Sequence, residues 1–189
     1  MDNAERLNDY NTTNDSKNSR EQFLKWLNEF SCANNVKWKY FITLTFKSEM
    51  NDYAETTFIA RKFYKKLNNA IFGTRSRKSL RSLMFVEKSY FHGYHVHLVI
   101  EDFISRLETN SQISRAGDDD RFKHIVTMIW NNVDKRTGKP DFDRFLSSFQ
   151  LIDNQEGLFQ YLTKTFPYNG SDCFLYDLAN FTGRYNTHI

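Results

Sequence analysis

The chain of 189 residues carries 26 Lys and Arg against 23 Asp and Glu, a net charge of +3. The length suits one compact domain, and so small a charge excess identifies no partner. With 16% aromatic residues but only 7 Gly and 2 Pro, the composition excludes a linker or a low-complexity protein. Two distant cysteines, Cys32 and Cys173, favour a reducing compartment over a disulfide scaffold or a cysteine-based zinc site. No apolar run has the length of a membrane span, so we expect a soluble protein with no membrane partner.

The chain is predicted to start with a tail and a helix. Residues 1–18 are rich in Asn, Asp, Thr and Ser, which indicates a flexible polar tail before a single domain at 19–189. Ser19 and Gln22 fit a capping box. The apolar residues that follow at helical spacing predict a helix over about 20–32.

A strand, a helix and a basic loop come next. Residues 38–46 (WKYFITLTF) alternate between apolar and polar side chains, which predicts a half-buried strand. Residues 53–72 place apolar side chains at spacings of three and four, which predicts an amphipathic helix that ends at Gly73. The sequence TRSRKSLR at 74–81 is a basic loop.

A hairpin and several shorter elements complete the predicted order. Residues 80–88 and 94–102 are predicted strands, joined by a turn that contains Gly93. The other predicted elements are a helix over 119–133, a strand over 145–152, a helix capped by Asp153 or Asn154 that continues to about Thr165, and a short helix around 173–180.

This order indicates an α+β fold. Its middle part, β-α-β-β-α-β, is the ferredoxin-like or RRM-like split pattern. That pattern predicts an antiparallel sheet with helices on one face, and it leaves the other face open for an active site.

The hairpin carries the most informative chemistry. Strand alternation puts His95 and His97 on the face away from the predicted core. If the turn is 91–93, Glu87 lies directly across from His97, with His95 diagonal to it. By the same parity, Thr43 and Thr45 of the first strand share that face.

Two imidazoles and one carboxylate would leave coordination positions free, as a catalytic metal site requires. Ligand softness allows zinc, manganese, cobalt or nickel, whereas magnesium usually takes more oxygen ligands. The alternative is that both histidines are ordinary surface residues.

Tyr161 and Lys164 lie three residues apart on the last predicted helix, so they are neighbours on its surface. A Lys ammonium beside a tyrosine nucleophile would stabilise charge on an attacked phosphate. The alternative is a tyrosine at the core edge beside a solvated lysine.

Taken together, these motifs resemble the HUH endonucleases, specifically the single-tyrosine initiators of rolling-circle replication. The resemblance covers roughly residues 36–166 and rests on three motifs in the family's order: FITLTF (41–46), HVH (95–97) with the upstream Glu87, and YLTK (161–164). Initiators with paired nucleophiles carry a second tyrosine one helical turn further on. Position 165 is Thr in this chain, so Tyr161 is taken as the sole nucleophile.

The resemblance implies the following chemistry. Glu87, His95 and His97 hold Mn²⁺ or Mg²⁺, which polarises the scissile phosphate. Tyr161 attacks single-stranded or hairpin origin DNA to form a 5′-phosphotyrosine link and a free 3′-hydroxyl, and Lys164 orients or neutralises charge there. A partner helicase, the host replication machinery and a cytoplasmic setting in a bacterial or archaeal host (unless the source is viral) are also implied.

Charge is unevenly distributed along the chain, which suggests a path for DNA. Residues 61–88 hold nine Lys and Arg and one acid, so they carry +8, while residues 101–120 hold six acids and two Arg, so they carry −4. In the basic loop the candidate nucleic-acid contacts are Arg75, Arg77, Lys78 and Arg81, joined by Thr43 and Thr45 on the sheet. The lysines of the preceding helix are also explained as its solvated face.

Three other functions fit the same residues. A small tyrosine transposase of the same superfamily shares this motif order. A non-catalytic module would bind single-stranded nucleic acid without cleaving it. A metallohydrolase would use Glu87, His95 and His97 to activate water, with Tyr161 uninvolved.

Overall fold

The computed structural model describes residues 3–89, 93–138, 148–164 and 173–175, with side chains described from residue 18 onward. The α+β class is confirmed. In chain order the elements are α1 (Asn3–Ala33), β1 (Trp38–Leu44), α2 (Tyr53–Phe72), β2 (Ser82–Ser89), β3 (Gly93–Glu101), a 3₁₀ turn (Ile104–Arg106), α3 (Asn110–Ala116), α4 (Asp119–Val133), β4 (Ser148–Leu151) and α5 (Gln155–Leu162).

The four strands form one sheet in the order β2-β3-β1-β4, and each neighbouring pair is antiparallel. Its main core lies on one face, where α2 and α4 pack on the even-numbered residues of the three longer strands. Their apolar side chains interlock there, as Phe63 of α2 and Trp130 of α4 do edge to face at 5.5 Å. The bounds of α2 and α4 match their predictions because both helices have strong apolar periodicity and an aspartate N-cap, Asp52 and Asp118.

The opposite face of the sheet was predicted to be open, and that prediction is wrong. Helices α1 and α5 cover much of it and form a second apolar cluster with the sheet. The physical reason is that four odd-numbered strand residues are themselves apolar and buried there: Phe41, Leu83, Phe85 and Val99.

The first helix is much longer than predicted. It begins at Asn3 and runs through the segment predicted to be a flexible tail, so Ser19 lies inside the helix and does not start it. Residues 1–33 contain no Gly or Pro that would end a helix.

Three other predictions need correction or fall partly outside the described residues. Helix α3 was not predicted, although Thr109 and Gln112 form a complete capping box at its start. The helix expected around 173–180 is not seen at 173–175, where Phe174 bridges to Phe85 at the sheet; residues 176–180 lie outside the described ranges. Helix α5 ends at Leu162, before its predicted end near Thr165. Residues 145–147 of the predicted last strand, and Thr165 itself, also lie outside the described ranges.

None of the helices in the described ranges combines the length and apolar character that a membrane-spanning helix needs.

The turn end of the β2–β3 hairpin is held by a close backbone approach at Gly93. This glycine has a φ of 68°, pairs with Met50, and leaves no room for a side chain, because a Cβ there would lie 2.3 Å from the carbonyl oxygen of Met50. The loop before α2 is thereby fastened to the start of β3, and Tyr94 donates its N–H to the same oxygen.

We expect Gly93→Ala to lower the free energy of unfolding by at least about 2 kcal/mol, because it adds a backbone clash to a strained φ. Gly73→Ala is the control, since Gly73 also has a positive φ (93°) but no atom lies within 4 Å of its Cβ position. Urea denaturation of both variants measures the difference. Equal losses of unfolding free energy in the two variants would show that the close approach of Gly93 to Met50 contributes nothing to the effect.

Candidate active site

The pairing of β2 with β3 brings three chemistry-bearing side chains together. In the structure Ser89 faces Gly93 and Glu87 faces His95, so the expected pairing of Glu87 with His97 is wrong by two residues. Gly93, which was predicted to lie in the turn, is instead the first residue of β3. Because side chains alternate with a period of two, this shift leaves all three residues on the predicted face.

The side chains of Glu87, His95 and His97 converge on one point. The Oε2 atom of Glu87 lies 3.0 Å from His97 Nε2 and 3.7 Å from His95 Nε2, and the two Nε2 atoms are 3.1 Å apart. The described ranges contain this one group of three or more such side chains that could hold a metal ion.

These separations fit a shared divalent ion. Ligand atoms at about 2.1 Å from a metal lie about 3.0–3.4 Å apart along the edges of an octahedron or a tetrahedron. The observed distances fall close to that range. Two imidazole nitrogens and one carboxylate oxygen also suit Mn²⁺ and Zn²⁺ by ligand type.

His97 is the most enclosed of the three, with 3% of its surface exposed. Its ring stacks on Phe41 at 5.4 Å, and its Nδ1 lies 3.0 Å from the Thr43 hydroxyl, which in turn accepts a hydrogen bond from Ser148. Burial lowers the pKa of His97, which favours the neutral imidazole that can ligate a metal.

Glu87 is held as a carboxylate. Burial raises its pKa, but the contacts with His95 and His97 and the nearby charge of Lys164 outweigh this, and the net effect is a pKa well below the usual range. Its second oxygen, Oε1, lies 3.5 Å from Lys164 Nζ.

Helix α5 brings Tyr161 to this cluster, and the turn that follows the helix brings Lys164. The ring of Tyr161 lies edge-on to His97 and to Phe41, each at 5.9 Å, and 43% of the residue is exposed. Lys164 Nζ lies 3.9 Å from the centre of the Tyr161 ring. The tyrosine, the lysine and the three possible metal ligands therefore form one continuous group.

The local sequence explains where α5 lies. Asn154 caps its start by accepting the N–H of Gly157, and Phe159 and Leu162 are buried in the second apolar cluster. With those two side chains turned to the sheet, Tyr161 is directed along the edge of that contact toward His97.

The predicted basic loop does not join the cluster. Arg81 lies six residues before Glu87 in an extended strand, so the loop is about 20 Å away, at the other end of β2. Lys78 pairs with Glu108, and Arg81 lies 3.8 Å from the buried carboxylate of Glu101. Arg75 and Arg77 are exposed.

The two threonines of the first strand also separate. Thr43 contacts His97 as parity predicted, whereas Thr45 lies beyond the end of β1, where its carbonyl accepts a hydrogen bond from Trp130.

Sequence reasoning missed three residues that shape the site. Phe41 is apolar at an odd position of β1, so its side of the sheet could have been recognised as partly buried. Ser148 and Arg20 contact the site across more than 100 residues of sequence and gave no local signal.

No protein-family model matches this chain, and no match was found among curated proteins or among solved structures.

We expect Thr43→Val to destabilise the protein by about 1–3 kcal/mol, because it leaves the buried Nδ1 of His97 without its hydroxyl partner. Thr43→Ser retains the hydroxyl and serves as the control. Chemical denaturation in the presence of a chelator measures the effect on the metal-free protein. If the Thr43→Val variant were as stable as the unaltered protein, the hydrogen bond between Thr43 and His97 would contribute nothing to stability.

Proposed function

We propose that this protein is a metal-dependent enzyme that nicks and joins single-stranded DNA through a tyrosine nucleophile, as initiators of rolling-circle replication do. The observation that carries the proposal is the contact between the Tyr161–Lys164 pair and the Glu87–His95–His97 cluster. These residues come from three separate parts of the fold: β2, β3, and α5 with the turn after it. If each residue had only a structural role, nothing would require the five side chains to lie together. The strand order β2-β3-β1-β4 supports the split β-α-β-β-α-β arrangement expected for such a domain.

In this proposal Glu87, His95 and His97 hold a divalent ion, Mn²⁺ or Mg²⁺. The ion would supply positive charge at the scissile phosphate and make its phosphorus more open to attack. Three protein ligands leave positions for water and phosphate oxygens. The neutral state of His97 and the ionised state of Glu87 both suit this role.

Tyr161 is the nucleophile. Its hydroxyl oxygen forms a bond to the phosphorus while the bond to the 3′ oxygen breaks, the phenolic proton leaves, and the 3′ oxygen takes up a proton. The products are a 5′-phosphotyrosine link and a 3′-hydroxyl, and the reverse reaction joins strands. Lys164, beside both Tyr161 and Glu87, places its ammonium where charge on the attacked phosphate develops.

The substrate proposed is an exposed single strand, such as that of a hairpin origin. Tyr161 is partly exposed beside the two central strands, β1 and β3, and a flexible single strand of DNA can reach it there. Arg75 and Arg77 lie at the far end of β2, so they would contact DNA remote from the scissile phosphate. A partner helicase and the host replication machinery remain part of this proposal.

Metal binding is the first expected outcome. We expect the protein to bind Mn²⁺, and Glu87→Gln to weaken that binding at least about tenfold, because it removes the anionic ligand. Isothermal titration calorimetry measures the affinity. His124→Ala, which changes an exposed histidine on α4, is the matched control. If the Glu87→Gln variant bound Mn²⁺ as tightly as the unaltered protein, this cluster would not be the metal site.

The tyrosine chemistry is tested with a labelled library of stem-loop oligonucleotides and Mn²⁺. We expect a protein–DNA adduct that survives denaturant, and we expect none from Tyr161→Phe, which lacks the nucleophilic oxygen. Tyr53→Phe, at the start of α2, is the matched control and should form the adduct as the unaltered protein does.

The other outcomes of that assay separate the alternatives. An adduct from the Tyr161→Phe variant would contradict the choice of nucleophile. Cleavage without an adduct would favour a metallohydrolase. Binding with neither would indicate a passive single-strand-binding module.

A further inference from the structure

The end of α5 is held by a side chain from the opposite end of the chain. Helix α5 has only eight residues, and Tyr161 lies in its last turn. The last carbonyl groups of a helix have no partner within the helix, and a short helix frays there unless another group binds them. Whatever binds these carbonyls therefore also controls where Tyr161 points.

Arg20 of α1 supplies that group. Its Nε donates to the carbonyl of Thr163 at 3.0 Å and lies 3.3 Å from the hydroxyl of the same residue. Its Nη2 donates to the side-chain oxygen of Gln160 at 2.8 Å and to the Gln160 carbonyl at 3.3 Å. Gln160 and Thr163 lie on either side of Tyr161 in sequence, so the guanidinium binds the turn that carries the nucleophile.

Helices α1 and α5 also pack against each other through buried apolar side chains, next to the contact of Arg20. Phe23 and Leu27 of α1 lie in the same buried cluster as Phe159 and Leu162 of α5. Thr163 is itself fully buried, and its hydroxyl donates to the carbonyl of Phe159. Arg20 therefore acts from a helix that is fixed by packing, and its planar fork has the geometry to bind two acceptors at once.

We infer that Arg20 is a positioning residue, which holds the last turn of α5 so that Tyr161 and Lys164 stay against the Glu87–His95–His97 cluster. This inference rests on the proposed function. It concerns a residue outside the roughly 36–166 segment that carries the sequence motifs, so α1 is part of the active machinery as well as a cover for the sheet.

The test combines kinetics with hydrogen exchange. We expect Arg20→Ala to slow adduct formation at saturating DNA by about 10- to 100-fold, as misplacement of a reacting group does, with little change in the half-saturating DNA concentration. Arg20→Lys, which keeps the charge but loses the fork, should recover part of the rate. Amide exchange at residues 160–164 should become faster in Arg20→Ala. Mn²⁺ affinity, which depends on other residues, should not change.

The control is Arg115→Ala, since Arg115 is exposed on α3 and donates only within its own helix among the contacts seen here. An unchanged rate and unchanged exchange in Arg20→Ala, with an active unaltered protein, would overturn the positioning role alone. Absence of an adduct from the unaltered protein would instead overturn the proposed function. If Arg20→Ala does not fold, the Arg20→Lys variant is the test. Adduct formation by Arg20→Lys at the rate of the unaltered protein would contradict a positioning role for the guanidinium.

Discussion

The antiparallel pairing of β2 with β3 is the contact on which the candidate site depends. It places Glu87 opposite His95 and diagonal to His97, and it is held in register by the even-numbered apolar residues of both strands, which are packed under α2 and α4. A slip of one residue would turn the two histidines into that apolar core and expose Val96. The energy of burying the core therefore also fixes the direction of the histidines.

The second constraint is the apolar part of the other face. Phe41, Phe85 and Val99 need cover from water, and α1 and α5 provide it. Because α5 lies there, Tyr161 reaches His97, and because Phe41 stacks on His97, that imidazole is buried and kept neutral. The packing of the second apolar cluster therefore also positions the side chains of the site. A loss of the contacts made by α1 would disturb both the cluster and the site.

Charge in the cluster is nearly balanced before any ion binds. One carboxylate, Glu87, faces neutral His97 on one side and the ammonium of Lys164 on the other. A divalent ion in such a site would leave a net positive centre, which favours a phosphate over a neutral ligand. The chain as a whole, at +3, gives little sign of this local preference.

Much of the secondary structure and of the candidate site could be predicted from local patterns, because strand alternation and helical periodicity depend on residues close in sequence. They determined α2 and α4, the shared face of Glu87, His95 and His97, and the proximity of Lys164 to Tyr161, although Lys164 lies in the turn after α5. They did not determine the hairpin register, since a two-residue shift preserves every face, and the backbone approach of Met50 to Gly93 joins residues more than 40 positions apart in sequence. Nor did they determine the distance of the basic loop from the cluster or the cover over the second face. The contact of Arg20 with Thr163 spans 143 residues, and such a pairing follows only from the packing of α1 and α5 on the same sheet.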